Sequence, residues 1–283
     1  MQKIRLEQSV DIFGPDIFGR RARLTVSPTD KAGWWWRYHP EGDHVLITPD
    51  LLQSKWRHTC LVYYSPKDRR SYHLQYPEHI LSLKSLGLDG IELYSENGWL
   101  PYYGSPFGYW RHLQSSCVTT REQFSWVTPK SPVRIHYKDR NRWTEIQPQS
   151  RPQLRVDIII EYPGLGKYNF HWTSEDEPGW LHARTQGWPP WWRHPLCLLS
   201  FFGWPHYKEI MWPHRDPRGW VRESFAWHRL ADLNAILNIA HPTVLLAAHV
   251  ISHCSGHHAD VAAVQSIQSD LTPIKLPLRA ASS

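Results

Sequence analysis

The chain has 283 residues, enough for one large domain or two small ones, and hydrophobic residues make up 41% of it. Its 17 Trp argue against a disordered chain, which would be poor in aromatic residues, and its 23 Pro indicate short elements with irregular connections. The chain also has 18 His. The formal net charge of +6 favours an acidic partner such as nucleic acid, although an ordinary basic protein without such a partner fits the charge equally well.

Residues 20–160 are predicted to form mainly strands and turns. Short runs rich in β-branched and aromatic residues alternate with turns that contain Pro, Gly or Asp. KDRR is typical of a hairpin connection, and HILSLKSLGLDG (79–90) predicts one helix that ends at a glycine. The predicted strands are RARLTVSP, HVLITPD, TCLVYYSP, RSYHLQY, PVRIHYK and RVDIIIEY.

Residues 160–222 show neither a helical nor a strand period. Trp and Pro recur in this segment at uneven intervals, so the spacing does not indicate a repeat. We expect an irregular segment packed by aromatic side chains.

From residue 227 the pattern becomes helical. WHRLADLNAILNIA (227–240) has apolar residues three or four positions apart, and TVLLAAHVISH (243–253) is interpreted as a second helix that ends near Gly256. Asp260 is expected to cap a third helix. Its apolar stripe consists of Val261, Val264, Ile267 and Leu271.

The predicted fold class is therefore α+β, with two domains. Residues 1–225 form a β-rich, aromatic amino-terminal domain, and residues 226–283 form a small helical carboxyl-terminal domain that zinc could stabilise. The four cysteines are widely spaced without a Cys-x-x-Cys pair, which favours a reducing compartment. We expect no membrane span and no signal peptide, because no apolar run reaches ~18 residues and the start MQKIRLEQSV lacks an apolar core.

A dense cluster of metal-ligand residue types lies in HVISHCSGHHAD (249–260). Zinc prefers four ligands drawn from Cys, His and Asp or Glu. If three short helices meet there, an ion bound by side chains from each of them would contribute folding energy. Two alternatives stay open: a catalytic metal, or no metal in a chain where His is simply abundant. The predicted ligands are His228, His241, Cys254 and His258, with His249 a packed bystander.

A second metal pattern is His214-x-Asp216, the ligand spacing of iron(II) oxygenases, with a distal His at 249 or 253. That arrangement belongs on a jelly-roll strand, whereas helices are predicted to follow it here. A proline-bounded turn with an internal ion pair is the simpler interpretation. No phosphate-binding glycine loop, serine elbow or His-Glu-x-x-His motif occurs, so the sequence predicts a protein that is not an enzyme.

Trp is repeatedly followed by Arg and His, as in WWWRYH (34–39) and KWRH (55–58). Such pairs can stack bases and hold phosphates, can pack Arg against Trp at a surface, or can form a protein-binding face. The residues predicted to bind nucleic acid or a target protein are Trp34, Trp35, Trp36, Arg37, Trp56 and Arg57.

Several of these stretches together resemble the lentiviral Vif (virion infectivity factor) family. LLAAHVISHC (245–254) is similar to a Vif stretch that ends on a zinc-ligand Cys, and AVQSIQ (263–268) is similar to the family's elongin C-binding box. LTPIKLPL (271–278) is similar to the proline motif that follows, and KAGWWWRYHPEGDH (31–44) is similar to an amino-terminal Vif stretch. The likeness covers about a third of the chain, and the family's second ligand Cys has no counterpart.

The resemblance implies a viral accessory adaptor that recruits a host ubiquitin ligase to degrade an APOBEC-type cytidine deaminase. It implies that the stripe Val261, Val264, Ile267 and Leu271 binds elongin C, in complex with elongin B. The segment Leu276, Pro277 and Leu278 would contact a cullin scaffold. It also implies RNA as a partner, a structural zinc ion, and a place in the host cytoplasm, with the nucleus and the virion left open. The alternative is a basic, Trp-rich protein that binds single-stranded nucleic acid and has no ubiquitin role.

Overall fold

The structure is a computed structural model that describes residues 1–39, 41–55, 58–137, 141–162, 166–183 and 222–274. Most of the Trp-rich segment predicted to be irregular lies outside the described residues, and so does the His214-x-Asp216 pair. The same holds for Trp56 and Arg57. It also holds for Leu276, Pro277 and Leu278.

The amino-terminal half contains one mixed and one antiparallel sheet, which include the four strands predicted there as β3, β5, β7 and β8. A five-stranded sheet has the order β2-β3-β9-β4-β5, and a three-stranded sheet has the order β6-β7-β8. The strands are β2 (Val10–Pro15), β3 (Arg21–Pro28), β4 (Trp34–Arg37), β5 (His44–Leu46), β6 (Leu52–Lys55), β7 (His58–Ser65), β8 (Arg70–Gln75) and β9 (Ile91–Tyr94). A separate pair joins β1 (Gln2–Leu6) to β10 (Cys117–Gln123). The hairpin predicted at KDRR connects β7 to β8, which confirms it.

A second five-stranded sheet lies in the carboxyl-terminal half. Its order is β12-β13-β17-β14-β15, so that β17 is the middle strand, antiparallel to β13 and parallel to β14. The strands are β12 (Val133–His136), β13 (Trp143–Pro148), β14 (Leu154–Tyr162), β15 (Gly166–Thr173) and β17 (Ala248–His253). A small sheet combines β11 (Trp126–Pro129), β16 (Leu245–Leu246) and β18 (Leu271–Pro273).

Four α-helices lie in the described residues: α1 (Glu78–Leu81), α2 (Phe107–Leu113), α3 (Arg222–Asn238) and α4 (His257–Ile267). A 3-10 turn (Ser82–Leu86) extends α1 and ends at Gly87, which confirms the predicted helix end. Gly87 has a φ of +105°, and a Cβ there would lie 2.6 Å from the Gln2 carbonyl oxygen, so this position requires glycine. Further 3-10 turns are Pro49–Leu51, Gln114–Ser116, Gly179–His182 and Gln268–Asp270.

The helix predicted over residues 243–253 is wrong, because this segment forms β16 and β17. Side chains of β17 alternate between buried and half-buried positions, with Ala248, Val250 and Ser252 pointing to the buried side. A short apolar run carries no period that separates a buried strand from a buried helix. Pairing with β13 and β14 on both sides therefore decides the conformation of this segment.

The predicted start and end of the last helix also need correction. α4 begins at His257 after Gly256 in extended conformation, so Asp260 is not the N-cap residue but lies buried in the first turn. The helix ends at Ile267, and Leu271 belongs to β18, where it pairs with Pro129.

The structure confirms an α+β fold rich in β-strand. α3 is buried on all sides from Leu230 onwards, which suits a helix that lies inside the protein rather than on its surface. One hydrophobic cluster extends from Ile12 in β2 to Ile267 in α4. The predicted boundary between residues 225 and 226 falls within α3, and separate folding of the two parts stays a prediction.

No helix in the described part of the chain is long and apolar enough to span a membrane.

Candidate metal centre

His79, His228 and Asp232 converge between α1 and α3. One potential ligand atom from each side chain lies within 4.8 Å of the other two, and this is the one such group of three or more found in the described ranges. His79 and Asp232 are buried, and His228 is largely so. Two imidazoles and a carboxylate around one point form a group that could hold a metal ion.

Helix α3 supplies two members of this group from one of its faces. Residues four positions apart on a helix are neighbours, so His228 and Asp232 point the same way. The distance from His228 Nε2 to Asp232 Oδ2 is 3.4 Å. This separation exceeds the usual 2.7–3.2 Å of an N–H···O hydrogen bond.

Helix α1 supplies His79 and is fixed against neighbouring elements at both of its ends. At its start, the Glu78 carboxylate accepts a hydrogen bond from the backbone N–H of Thr59 in β7. At its end, Asn238 Nδ2 donates to the carbonyl oxygens of Leu81 and Ser82 at 3.1 and 3.2 Å. The His79 backbone is therefore held at a defined position beside α3, although α1 is far too short to form alone.

The ammonium group of Lys84 strengthens this junction. Lys84 lies in the 3-10 turn after α1, and its Nζ donates to carbonyl oxygens in and after the last turn of α3. Cationic side chains near a helix carboxyl terminus satisfy carbonyls that lack a partner inside the helix. The acceptors are the carbonyl oxygens of Asn238 (2.8 Å), His241 (2.8 Å), Pro242 (3.1 Å) and Val244 (3.3 Å).

Helix α4 brings a third imidazole to the same carboxylate. His257 is the first residue of α4, and its Nε2 lies 3.8 Å from Asp232 Oδ2. Arg229 on α3 donates to the Asp260 carboxylate, so the first turn of α4 is tied to α3 close to His257. Three helices thus contribute side chains that face one carboxylate.

Burial favours the neutral form of two imidazoles in this group, His79 and His257, which is the form that binds a metal ion. Burial lowers the pKa of His79 to about 4, and it also lowers the pKa of His257, with Asp232 opposing the shift in both cases. Burial by itself raises the pKa of Asp232, but the nearby imidazoles of His228, His257 and His79 outweigh it and lower that pKa. An ionised carboxylate beside neutral imidazoles is the form in which these side chains bind a metal ion.

Glu78 adds a second carboxyl group behind the centre. Its pKa is raised to about 8 because it is buried and because Asp232 lies nearby. Near neutral pH it is therefore mainly protonated, and Asp232 carries the negative charge of the group. An ionised buried carboxylate is costly unless a cation compensates it, which makes the position of Asp232 favourable for a bound cation.

The four ligands predicted from the sequence do not come together. His228 lies in the group, but His241 follows the end of α3, where its Nδ1 accepts a 3.4 Å hydrogen bond from the Thr243 N–H. The Cys254 sulfur accepts the Glu161 N–H at 3.1 Å. His258 is exposed and packs against the Tyr137 ring. The prediction failed because it placed residues 243–253 in a helix, whereas they form β16 and β17, and Cys254 directly after β17 accepts a hydrogen bond from β14 instead.

Sequence reasoning missed His79 and Asp232, and it chose His258 over the neighbouring His257. The spacing His228-x-x-x-Asp232 inside a predicted helix was the available local signal, since it places both side chains on one face. His79 is about 150 residues away in sequence, and nothing local connects it to α3. Choosing His257 rather than His258 required the true start of α4.

The predicted elongin-binding stripe points into the protein. Val261, Val264 and Ile267 are at most 5% exposed and pack in the main hydrophobic cluster. Leu271 is half-buried in β18. In this structure the stripe stabilises the contact of α4 with its neighbours and is not available to a partner.

The predicted nucleic-acid-binding residues in β4 point alternately to the buried face and to the outer face of the sheet. Trp34 and Trp36 are 2% exposed, and the Trp34 indole N–H donates to the Leu88 carbonyl at 2.9 Å, so neither ring can stack on a base in this structure. Trp35 and Arg37 point to the opposite, outer face of the sheet, where both are half-buried. The correction follows from strand geometry, since successive side chains point to opposite faces.

The outer face of the β2-β3-β9-β4-β5 sheet carries aromatic rings beside cations. Phe13 is 51% exposed and lies across the β2-β3 ladder from Arg23, whose guanidinium is 5.5 Å from the ring centroid. Arg37 lies 4.4 Å from the Tyr94 ring, and Lys31 lies 4.8 Å from the Trp35 ring. Cross-strand register places these rings on one surface.

Comparisons with protein-family models and with curated proteins find no match to this chain. The fold and the site define an α+β protein with a buried histidine–carboxylate group that could hold a metal ion. The resemblance to the Vif family rests on the short motifs quoted above and stays a prediction.

Proposed function

We propose that the protein is a non-enzymatic binding protein in which a structural zinc ion joins α1 to α3 through His79, His228 and Asp232. The convergence of these three side chains within 4.8 Å carries the proposal. Imidazole and carboxylate ligands suit zinc among the common cations, whereas calcium and magnesium prefer oxygen ligands alone. Iron(II) bound by two His and one carboxylate is the competing assignment.

The position of the group supports a structural use of the ion. It lies between a four-residue helix and the buried helix α3, two elements that are far apart in the sequence. Side chains that bind one ion from both elements would hold them together, so that part of the binding free energy becomes folding free energy. Lys84 already anchors the same junction through the carboxyl-terminal end of α3, while Glu78 anchors the start of α1 to β7.

Metal content of the purified chain, measured by mass spectrometry, tests this proposal. We expect one zinc per chain in the wild type and its loss in Asp232→Asn, which keeps the shape of the side chain but removes the charge. His241→Gln and Cys254→Ser are matched controls, since both residues are candidate ligands by sequence that lie outside the group, and both variants should retain the zinc. Iron in place of zinc would favour the oxygenase-type assignment, and absence of any metal would overturn the proposal.

On the resemblance to the Vif family, we propose further that this binding protein is an adaptor between a host elongin–cullin ubiquitin ligase and an APOBEC-type deaminase. Support comes from the motif order and from an amphipathic helix, α4, at the position of the elongin box. The burial of Val261, Val264 and Ile267 sets a condition, because elongin C could reach them only if α4 leaves the core. Such an adaptor would act in the host cytoplasm, with the nucleus and the virion as alternatives.

Titration of the purified chain with the elongin B–elongin C complex tests the adaptor proposal directly. We expect binding by the wild type, with an affinity that rises when a chelator removes the ion and thereby loosens α3, the helix against which α4 packs. Substitution of the buried stripe would unfold the protein and so is not a usable test. No binding with or without the chelator would contradict an adaptor role through elongin.

A second candidate function is binding of single-stranded nucleic acid by the outer face of the β2-β3-β9-β4-β5 sheet. The observation that favours it is the set of aromatic rings, Phe13, Trp35 and Tyr94, each with a cation within 6 Å. Rings on such a sheet can stack on bases, and neighbouring cations can meet phosphates. The ion pairs Arg23–Asp11 and Arg37–Glu92 partly neutralise this surface, so stacking would contribute more than charge.

Fluorescence titration with a labelled single-stranded RNA at several salt concentrations tests this candidate. We expect Phe13→Ala to weaken binding by about 1–3 kcal/mol, the usual contribution of one stacked base. Tyr64→Ala is the matched control, because Tyr64 is an equally exposed ring (58%) on the separate β6-β7-β8 sheet. Equal loss in both variants, or an affinity that does not depend on salt, would contradict the candidate.

A further inference from the structure

We propose that His257 is a fourth ligand of the same centre, which makes it a closed tetrahedral site of three imidazoles and one carboxylate. This inference rests on the zinc binding proposed above and extends it from two helices to three. His257, at the start of α4, lies beside Asp232 but is not among the three residues of the compact group.

The distances agree with a tetrahedral ligand set. With zinc–nitrogen and zinc–oxygen bonds of about 2.0–2.1 Å, neighbouring ligand atoms of a tetrahedron lie about 3.3–3.4 Å apart. His228 Nε2 and His257 Nε2 lie 3.4 and 3.8 Å from Asp232 Oδ2. Both separations are too long for good hydrogen bonds and close to the edge of such a tetrahedron. His257 lies outside the compact group, so its imidazole must also move closer to those of His79 and His228 to complete the ligand set.

The first turn of α4 is held beside α3 by hydrogen bonds to Asp260. The Asp260 carboxylate accepts hydrogen bonds from Arg229 of α3, from the Thr144 hydroxyl at 2.6 Å and from the Ser255 hydroxyl at 3.1 Å. Residues three apart on a helix share a face, so the anchor at Asp260 also fixes the direction of His257. The hydrogen bonds to Asp260 therefore hold the start of α4 so that His257 faces α3.

His258 provides an internal comparison. Adjacent residues on a helix do not face the same way, and His258 is exposed beside the Tyr137 ring while the His257 side chain is only 18% exposed. The two neighbours have the same chemistry and the same distance along the chain from every other element. A difference in metal binding between His257→Ala and His258→Ala would therefore arise from the different positions of the two side chains relative to Asp232.

A fourth protein ligand changes what the centre can do. Structural zinc sites are closed by four protein ligands, whereas catalytic sites keep a position for water or substrate. A closed site that includes His79, Asp232 and His257 would connect α1, α3 and α4. Of these, α1 lies far from α3 in the sequence, whereas α4 follows α3 closely. The ion would then close one long and one short loop and fix α4, whose apolar stripe is buried in the core.

Cobalt(II) added to the metal-free full-length chain tests the inference, because tetrahedral cobalt absorbs visible light far more strongly than six-coordinate cobalt. We expect an intense spectrum from the wild type and from His258→Ala. His257→Ala should give a weak spectrum and bind cobalt at least about 10-fold less tightly, as expected for a lost ligand. X-ray absorption of the zinc-loaded wild type should count three imidazole ligands, a measurement that does not depend on how well any variant folds.

The possible outcomes separate the two proposals. If His257→Ala keeps the spectrum and the affinity of the wild type, or if X-ray absorption counts two imidazoles, the fourth-ligand inference is overturned while zinc binding stands. If the wild type binds neither cobalt nor zinc, the proposed zinc centre fails and this inference fails with it.

Discussion

Arg229 on α3 and Asp260 on α4 form a buried ion pair that joins the two helices. The Asp260 side chain is fully buried, and Arg229 is 15% exposed. Arg229 is flanked in sequence by His228 of the candidate centre, and Asp260 lies three residues after His257. The ion pair therefore sets the distance between the two helices at the point where the histidines face Asp232.

Removal of one partner of this pair should destabilise the fold strongly. Asp260→Ala removes the anion that faces the Arg229 guanidinium and the acceptor of the Thr144 hydroxyl, although Arg229 still donates to Ser255. We expect a loss of about 3–5 kcal/mol in the free energy of unfolding. Denaturant unfolding followed by Trp fluorescence measures it. Asp43→Ala removes the exposed Lys67–Asp43 pair and should cost less than about 1 kcal/mol. Similar losses in the two variants would contradict a larger contribution of the buried pair to the free energy of unfolding.

Chelation should lower the stability of the zinc-loaded protein. An ion that binds only the folded chain stabilises it by about 4 kcal/mol when its free concentration is 1,000 times its Kd. We expect the thermal midpoint to fall when a chelator is added and to recover when zinc is restored in excess. Asp232→Asn should show a lower midpoint that no longer responds to either addition, while His241→Gln should respond like the wild type. A wild type that is insensitive to chelation would count against a structural ion.

The strands of the amino-terminal half could be predicted because their signals are local. β3, β7 and β8 alternate in burial or carry β-branched and aromatic residues, and the turn between β7 and β8 has its own residue preference. The conformation of β17 could not be predicted in this way. It is imposed by pairing with β13 and β14, which are about 100 residues away, and the apolar run itself fits either structure.

The candidate site depended on that same long-range pairing. His228 was recognised as a ligand, but its partners are determined by where α1 and α4 pack on α3, and neither contact leaves a periodic signal. The Trp triplet shows a related limit. A run of three Trp predicts many aromatic contacts, whereas its division into buried Trp34 and Trp36 and outward Trp35 follows only from the strand that contains it.

Substitutions in the Trp triplet should separate folding from surface roles. Trp34→Ala removes a buried ring and the hydrogen bond to the Leu88 carbonyl, and we expect it to cost about 3–5 kcal/mol in unfolding free energy. Trp35→Ala removes a half-buried ring on the outer face and should cost much less. Both values come from denaturant unfolding at neutral pH. Equal costs would contradict the inward and outward orientation of the two side chains.

Lys84 should make stability depend on pH in the alkaline range. Burial lowers its pKa to about 7, with Asp89 acting in the opposite direction, while the unfolded chain keeps a pKa near 10.5. Between these values the unfolded chain binds more protons, so the Lys84 contribution to the free energy of unfolding rises with pH and is lost as pH falls towards 7.

We therefore expect the unfolding free energy of the wild type to rise between pH 7 and 9 relative to that of Lys84→Met, by up to about 1.4 kcal/mol per pH unit for one proton. Lys84→Met should be less stable throughout, because the carbonyl oxygens of Asn238 and His241 lose their donor. Lys130→Met is the control, since it removes an exposed Lys that pairs with Asp270 and not with α3. Parallel curves for the wild type and Lys84→Met would mean that the four carbonyl oxygens hold the proton on Lys84 despite its burial, and that the ammonium stays charged throughout this range.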